Sequence, residues 1–229
     1  MKAYLVFIAL VISSLLRAQD LKNEFTQMND FLNEMSAYKL SVQYTAGNEE
    51  QTEQGLVSVV VHPKGLFYDI DRSHMMINED YTVLIDDQER MLVYSENQEV
   101  KRRKSFSFSD QLLKGIDTLM ANSDSVMFTQ EEKVRTYTLR FENSYFDLIQ
   151  LHFEGQMLGK VEYFYNEEFI HEIGVRTTCL VTLDRETTID ETVFDTSFYI
   201  TENNGTIVPT EKFSNYLITH NEALESYFD

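Results

Sequence analysis

Apolar residues at Leu21, Phe25, Met28, Leu32 and Met35 recur at spacings of four, three, four and three, with Lys22, Asn23, Glu24, Asp30 and Asn33 on the other side. This period predicts an amphipathic helix that needs a surface to lie against, with Asp20 as its N-cap. The period then changes to two. Tyr38, Leu40, Val42 and Tyr44 predict a first strand from about Ala37. After a polar loop over 47–54, the stretch Gly55 to Val100 reads as a β-meander. Val57, Val59 and Val61 alternate, HPKG turns the chain, and Leu66, Tyr68 and Ile70 resume the alternation. Met75 to Asn78 leads into a Glu79-Asp80 turn, Tyr81, Val83 and Ile85 form one side of the next strand, and Asp86 to Arg90 turns into Met91 to Ser95.

A second helix is expected over Asp110 to Met120, capped by Ser109 or Asp110, with Leu112, Leu113, Ile116, Leu119 and Met120 as its apolar side. Strands follow at Arg135 to Phe141, Tyr145 to Phe153, Val161 to Tyr165 and Val175 to Leu183. Phe198 to Glu202, the turn Asn203-Asn204-Gly205, and Thr206 to Val208 predict a closing hairpin, with Pro209 marking an edge or a loop. No period of about 20 to 50 residues repeats. The pattern predicts ten or eleven strands and two or more helices in a single domain over 19–229.

The first residues differ from the rest. Met1-Lys2, the apolar run Ala3 to Leu16 and Arg17-Ala18-Gln19 have the layout of a signal peptide over 1–18, cleaved after Ala18. The run falls short of the about 20 residues that span a bilayer, and no cysteine stands near the cleavage point to carry a lipid. An exported chain is expected, periplasmic in a Gram-negative source. The formal charge is −19; loss of Lys2 and Arg17 leaves 17 basic against 38 acidic residues, or −21. Such a charge repels phosphate backbones and anionic headgroups, which argues against nucleic acid and against stable membrane insertion or surface binding. Cys179 has no second cysteine to pair with and shares strand parity with Val175, Val181 and Leu183, as a small buried hydrophobe does.

Candidate chemistry is sparse. Glycine-flanked serine elbows, zinc-binding HExxH, phosphate loops and dinucleotide fingerprints are absent. His171 with Glu167 or Glu168 would share a metal only if that segment were helical, and a charged turn between strands is the simpler reading. Asp69 and Asp71, read as sharing a strand face, would raise one another's pKa but more simply face solvent. His62, His74, His152 and His220 are scattered and take no role. Lys101-Arg102-Arg103-Lys104 is either a docking patch for an acidic partner or a solvated loop. Asn204-Gly205-Thr206 fits a glycosylation sequon that the hairpin already explains. Neither a cofactor nor a metal is called for.

An N-terminal amphipathic helix, a Gly55-led valine strand, the Pro63 turn, the strands of Tyr68 and Ile77, the strand bearing Asp86, and Met91-Leu92-Val93-Tyr94 together resemble the start of the periplasmic outer-membrane lipoprotein carrier (LolA-like) family. The resemblance lies in the order of elements over Asp20 to Phe164. It implies a mainly β (α+β) fold in which a curved antiparallel sheet forms an incomplete barrel. The N-terminal helix and a central helix at Asp110 to Met120 pack on its concave face, which holds acyl chains. Val93 stands where that family often carries tryptophan, and Arg72 is the nearest counterpart to the arginine that ties its lid. The chain past Arg185 has no match in that pattern.

Strand parity alone proposes a hydrophobic cup lined by Tyr68, Ile70, Met76, Val83, Ile85, Met91, Val93, Tyr137, Leu139, Ile149, Leu151, Val161 and Tyr163. Each ligand methylene buried there contributes about 0.8 kcal/mol. Alternatively, the same residues pack against Phe25, Met28, Leu112, Leu113 and Ile116 and leave no void. The expectation is an exported carrier of lipid or of an acylated protein's chains, without catalysis. The alternative is an envelope protein-interaction module with a full core, and a hydrolase stands third.

Overall fold

The computed structural model describes residues 19–47, 52–95, 108–142, 144–168, 176–185, 188, 190–203 and 205–221. The expected signal peptide, the basic cluster 101–104, Val175 and His171 with its immediate neighbours lie outside them. The chain divides into two compact units, a helical unit of Met1–Met35, Val42–Gly55 and Phe106–Thr182, and a meander unit of Ser36–Ser41, Leu56–Ser105 and Leu183–Asp229.

In the helical unit, residues 19–33 form helix α1, and Leu21, Phe25, Met28 and Leu32 are all buried along one side of it. The seam read from the spacing is therefore the packed one. Asp20 is not the N-cap, because Gln19 before it is already helical. Helix α2 spans Phe108–Asn122, which places Ser109 and Asp110 inside the helix instead of capping it. The sheet of this unit is built from β7 (Ser125–Glu131), β8 (Val134–Arg140), β9 (Phe146–Glu154), β10 (Met157–Tyr165) and most of β11 (Arg176–Asp184), each paired antiparallel with the next.

Directly paired residues share a face. Tyr137 sits opposite Leu151, Leu139 opposite Ile149, Val161 opposite Leu151, and Tyr163 opposite Ile149. These strand positions and Phe153 form the face on which α1 lies. Phe25 meets the Phe153 ring edge-on at 5.2 Å, and the Leu158 N–H points at Met28 Sδ at 3.5 Å. Arg135 clamps the helix to the sheet: its Nε donates to Glu24 Oε1 at 2.6 Å and its Nη2 to Glu24 Oε2 at 2.8 Å. Burial, reinforced by Glu24, pushes the Tyr137 phenol up to about 12. It therefore remains a neutral donor at physiological pH.

The other face of this sheet carries a polar network. Thr136 Oγ1 lies 3.0 Å from His152 Nδ1, and His152 Nε2 lies 2.9 Å from Glu162 Oε2, which Lys160 Nζ reaches at 2.8 Å. Burial, and after it Lys160, holds the His152 imidazole below its ordinary value despite Glu162. Burial pushes the Glu162 carboxyl up, but Lys160 and His152 outweigh it and hold the group below its usual range. For both groups the unfolded chain takes up the proton first as pH falls. Stability is thus retained above the free imidazole's value of 6.5 and lost on acidification, with Glu162 adding a loss of the same sign below 4.5. The urea midpoint is expected to fall from about pH 7 to about pH 5, and His152→Gln to flatten that slope. An unchanged slope in the variant would place its source elsewhere.

The meander unit is built from β3 (Gly65–Ile70), β4 (Ser73–Ile77), β5 (Tyr81–Ile85) and β6 (Arg90–Ser95), with parts of β1 (Tyr38–Gly47) and β2 (Thr52–His62). Its turns follow the punctuation of the sequence. Pro63-Lys64 joins β2 to β3, and Asp71-Arg72 joins β3 to β4, with Asp71 at φ 50°. Asp71 therefore does not share a strand face with Asp69, whose carboxylate instead meets His74 Nδ1 at 3.3 Å. The Asp86 carboxylate folds the next turn by accepting from the N–H groups of Gln88 and Arg90 at 2.9 and 3.0 Å. Arg72 is well exposed and lies 3.3 Å from Asp87. It ties turn to turn.

The segment past Arg185, which has no match in the lipoprotein-carrier pattern, completes this unit's core. It contains short 3-10 turns at Glu191–Phe194, Thr196–Phe198 and Glu211–Phe213, the ribbon of β12 (Ile200–Asn203) with β13 (Thr206–Pro209), and β14 (Leu217–Asn221), parallel to β6. Gly205 at φ 77° stands in the expected Asn-Gly turn, although the strand before it starts at Ile200, because Thr196–Phe198 is a 3-10 turn. Asn78 anchors the segment: its Nδ2 donates to the Phe194 carbonyl at 2.8 Å, while its Oδ1 accepts from the N–H of Tyr81.

The described strands number fourteen, against the ten or eleven expected. In the meander unit the strands lie in the order β14-β6-β5-β4-β3-β2, and in the helical unit in the order β11-β10-β9-β8-β7, with β14 and β7 each at an edge. The protein is mainly β with helices, as the pattern of periods predicts.

Candidate functional site

Register decides which residues of the meander unit stand together. Asp71-Arg72 is a two-residue turn, so the numbers of paired residues across it have opposite parity: Tyr68 faces Met75 and Phe67 faces Met76. A one-residue difference in register moves a side chain to the opposite face. Tyr68 and Ile70 therefore do not stand with Met76, Val83, Ile85, Met91 and Val93. The expectation of a single parity for the cup is corrected here.

The face of Met76 is filled. Met76, Val83, Ile85, Met91 and Val93 are 5 % exposed or less and pack against Tyr199, Ile200 and Phe213 of the C-terminal segment. Phe198, Phe213 and Tyr216 interlock edge to face, and Tyr199 stacks on Phe213 at 5.6 Å. Burial pushes the Tyr199 phenol far up, and its hydroxyl donates to the Val193 carbonyl at 2.8 Å. Five of the cup residues are thus core. Five more, Tyr137, Leu139, Ile149, Leu151 and Val161, are buried in the helical unit on the face that carries α1. Tyr163 shares that face and is half-buried. These last six stand together on one face, and a helix covers it.

The opposite face of the meander unit is different. Val59, Tyr68, Met75, Leu84 and Leu92 are paired in succession from β2 to β6, as are Val61, Leu66, Ile77, Thr82 and Tyr94. Val57 and Ile70 form the start of a third row. At the usual strand spacing a row crossing five strands is about 19 Å long. Val59, Thr82 and Tyr94 are buried; Val57, Val61, Leu66, Tyr68, Met75, Ile77, Leu84 and Leu92 are half-buried. Ile70 on this face is 40 % exposed. Burial pushes the phenols of Tyr38 and Tyr68 up, so both are neutral hydroxyls beside this surface.

An antiparallel sheet ordinarily has one apolar face and one solvated face. In this unit both faces are apolar, and the C-terminal segment covers one of them. Of the residues singled out in the sequence, Tyr68 and Ile70 belong to the half-open face. Met75, Ile77, Leu84 and Leu92 were missed, and the signal that would have found them is the odd sum of paired residue numbers across a two-residue turn.

His62, His74, His152 and His220 have partners that spacing did not reveal, among them His62, which stacks on the Phe194 ring at 5.0 Å. Cys179 faces Val161 and is half-buried, and burial pushes its thiol up. Among the described residues no group of three or more His, Cys, Asp or Glu side chains is placed to hold a metal ion. None of the described helices is long and apolar enough to cross a membrane.

No family model and no curated protein matches the chain. Solved structures are similar to it. An uncharacterized conserved protein from Thermus thermophilus has 10 % identity and a TM-score of 0.47, over 88 % of this chain and 99 % of that one. A LolA superfamily protein from Nitrosomonas europaea has 7 % identity and a TM-score of 0.31, over 75 % and 96 %. A domain from Vibrio parahaemolyticus, described as an outer membrane lipoprotein-sorting protein, has 12 % identity and a TM-score of 0.27, over 71 % and 90 %.

Proposed function

We propose that this chain is an exported carrier that holds lipid or acyl chains against the half-open face of its meander unit, without catalysis. The observation that carries the reading is the two-sided apolar sheet: one face is closed by Tyr199, Ile200 and Phe213, while the rows of Tyr68, Met75, Leu84 and Leu92 stay half-open. A continuous apolar surface of this kind marks a place where something apolar binds.

The geometry fits a chain laid across the strands. A fully buried methylene contributes about 0.8 kcal/mol, and one lying on an open surface gains roughly half of that. An acyl chain on these rows is therefore held with moderate strength after the cost of association, which suits a carrier that must give up its cargo. Met75 adapts to chains of varied shape through its flexible thioether. The formal charge of −19 keeps the protein from adhering to anionic membranes while it carries an apolar load.

The test is saturable binding of a fluorescent fatty acid to the chain from Asp20 onward. Leu84→Asn, at a half-buried position, is expected to weaken binding by about tenfold, and Thr138→Ala on the polar face of the helical unit to leave it unchanged. Binding that Leu84→Asn does not alter would remove this face as the site. No binding at all would leave the same face to an envelope protein partner.

A further inference from the structure

A separate recess of about 550 Å³ lies within the helical unit. One wall is a stripe of α2 formed by Gly115, Thr118, Leu119 and Asn122, which fall at i, i+3, i+4 and i+7 and so share one side of the helix. The other wall is Phe141 and Phe146, with Asp124 and Ser144 also lining the recess.

The position of Phe146 depends on a register shift. Between Phe164 and Tyr165 the β9–β10 ladder slips, so that Tyr165 faces Phe146 whereas Phe164 faces Leu148. That bulge turns Phe146 onto the face of Tyr163 and Tyr165, whose rings support it at 5.5 and 5.4 Å. Phe141 lies 6.4 Å away, tilted at 60°. Asp124 is fixed by the backbone: its N–H donates to the Arg140 carbonyl at 2.9 Å, and its Oδ2 accepts from the Glu142 N–H at 2.6 Å. At Gly115 an added Cβ would meet nothing within 4 Å, so the recess runs open up to the helix backbone.

We propose that this recess is a second binding site, for an amphiphilic organic cation whose ammonium group sits between the Asp124 carboxylate and the rings of Phe141 and Phe146. A positioned carboxylate beside aromatic rings is the chemistry that recognises an alkylammonium, through charge pairing and the negative faces of the rings. The same carboxylate repels an anionic head. Leu119 and the aromatic wall receive the apolar body, and the volume is that of an ordinary small-molecule pocket. The net charge of −19 raises the local concentration of cations around the whole chain.

The experiment is calorimetric titration of the intact chain with decyltrimethylammonium and with decanoate, both below their micelle concentrations. The ammonium is expected to bind about tenfold more tightly than the carboxylate, and Asp124→Asn to erase that preference. Gly115→Leu, which adds a side chain into the open space and raises helix propensity, is expected to abolish ammonium binding in a fully folded protein. Leu84→Asn in the meander unit is expected to leave ammonium binding unchanged, which separates this site from the acyl-binding face. Equal affinity for the two ligands, or an unaltered preference in Asp124→Asn, would overturn the proposal. So would undiminished ammonium binding in Gly115→Leu, or its loss in Leu84→Asn.

Discussion

A chain ending at Asp190 is expected to lose the folded state of its meander unit. The truncation removes Phe194, Tyr199, Ile200 and Phe213, and with them the cover over Met76, Val83, Ile85, Met91 and Val93. Returning a single core side chain of this size to water costs about 1.5–3 kcal/mol. Five of them together reach the whole stability of an ordinary domain, about 5–15 kcal/mol. The truncated chain should bind a hydrophobic dye strongly and show no cooperative urea transition for this unit. Phe213→Ala provides a graded version, expected to lower stability by about 3–5 kcal/mol. If the truncated chain unfolded at the urea midpoint of the full one, the C-terminal segment would not belong to the core.

The second large effect is expected at Phe153, the centre of the helical unit. Its ring is fully buried, with Phe25 edge-on at 5.2 Å and Tyr137 edge-on at 6.0 Å. Phe153→Ala removes both contacts and leaves a cavity between α1 and the sheet. A loss of about 3–5 kcal/mol is expected, against roughly 1.5 kcal/mol or less for Phe153→Leu, which keeps most of the volume. Urea unfolding with an unchanged slope would report this as stability alone. Near-equal midpoints for wild type and Phe153→Ala would mean that α1 does not rest on this face. Neither substitution touches the proposed acyl-binding face, so fatty-acid affinity in the folded protein should survive Phe153→Leu.

Much of the fold is legible in local signals. The seam Leu21, Phe25, Met28 and Leu32 is buried as its period requires, and the change of period at Ala37 is followed by β1 at Tyr38. Turns written in Pro, Gly, Asn and Asp fall where strands end, because these residues set the backbone without help from distant contacts. Two strands escaped. β7, SVMFTQE, lies at a sheet edge with one strongly buried residue, Val126, and so lacks the alternation that marks a half-buried strand. β14 forms by parallel pairing with β6, a partner more than 100 residues away, and no local turn announces such a ladder.

The candidate site shows the same division. Alternation found one set of apolar positions in β3 to β6 and missed Met75, Ile77, Leu84 and Leu92, because these strands are apolar on both faces. It could not say which positions belong together, since that depends on pairing across the Asp71-Arg72 turn. The sequence by itself determined the class of fold, the two helices, most strand limits and the acidic charge, because each of these follows from composition or from contacts between near neighbours. Tertiary structure alone decided that the segment past Arg185 closes one face of the meander, and that Tyr68 stands with Met75 and Leu84 and apart from Met76 and Val83. Both outcomes depend on register and on packing between residues far apart in the chain, where a shift of one residue exchanges core for surface.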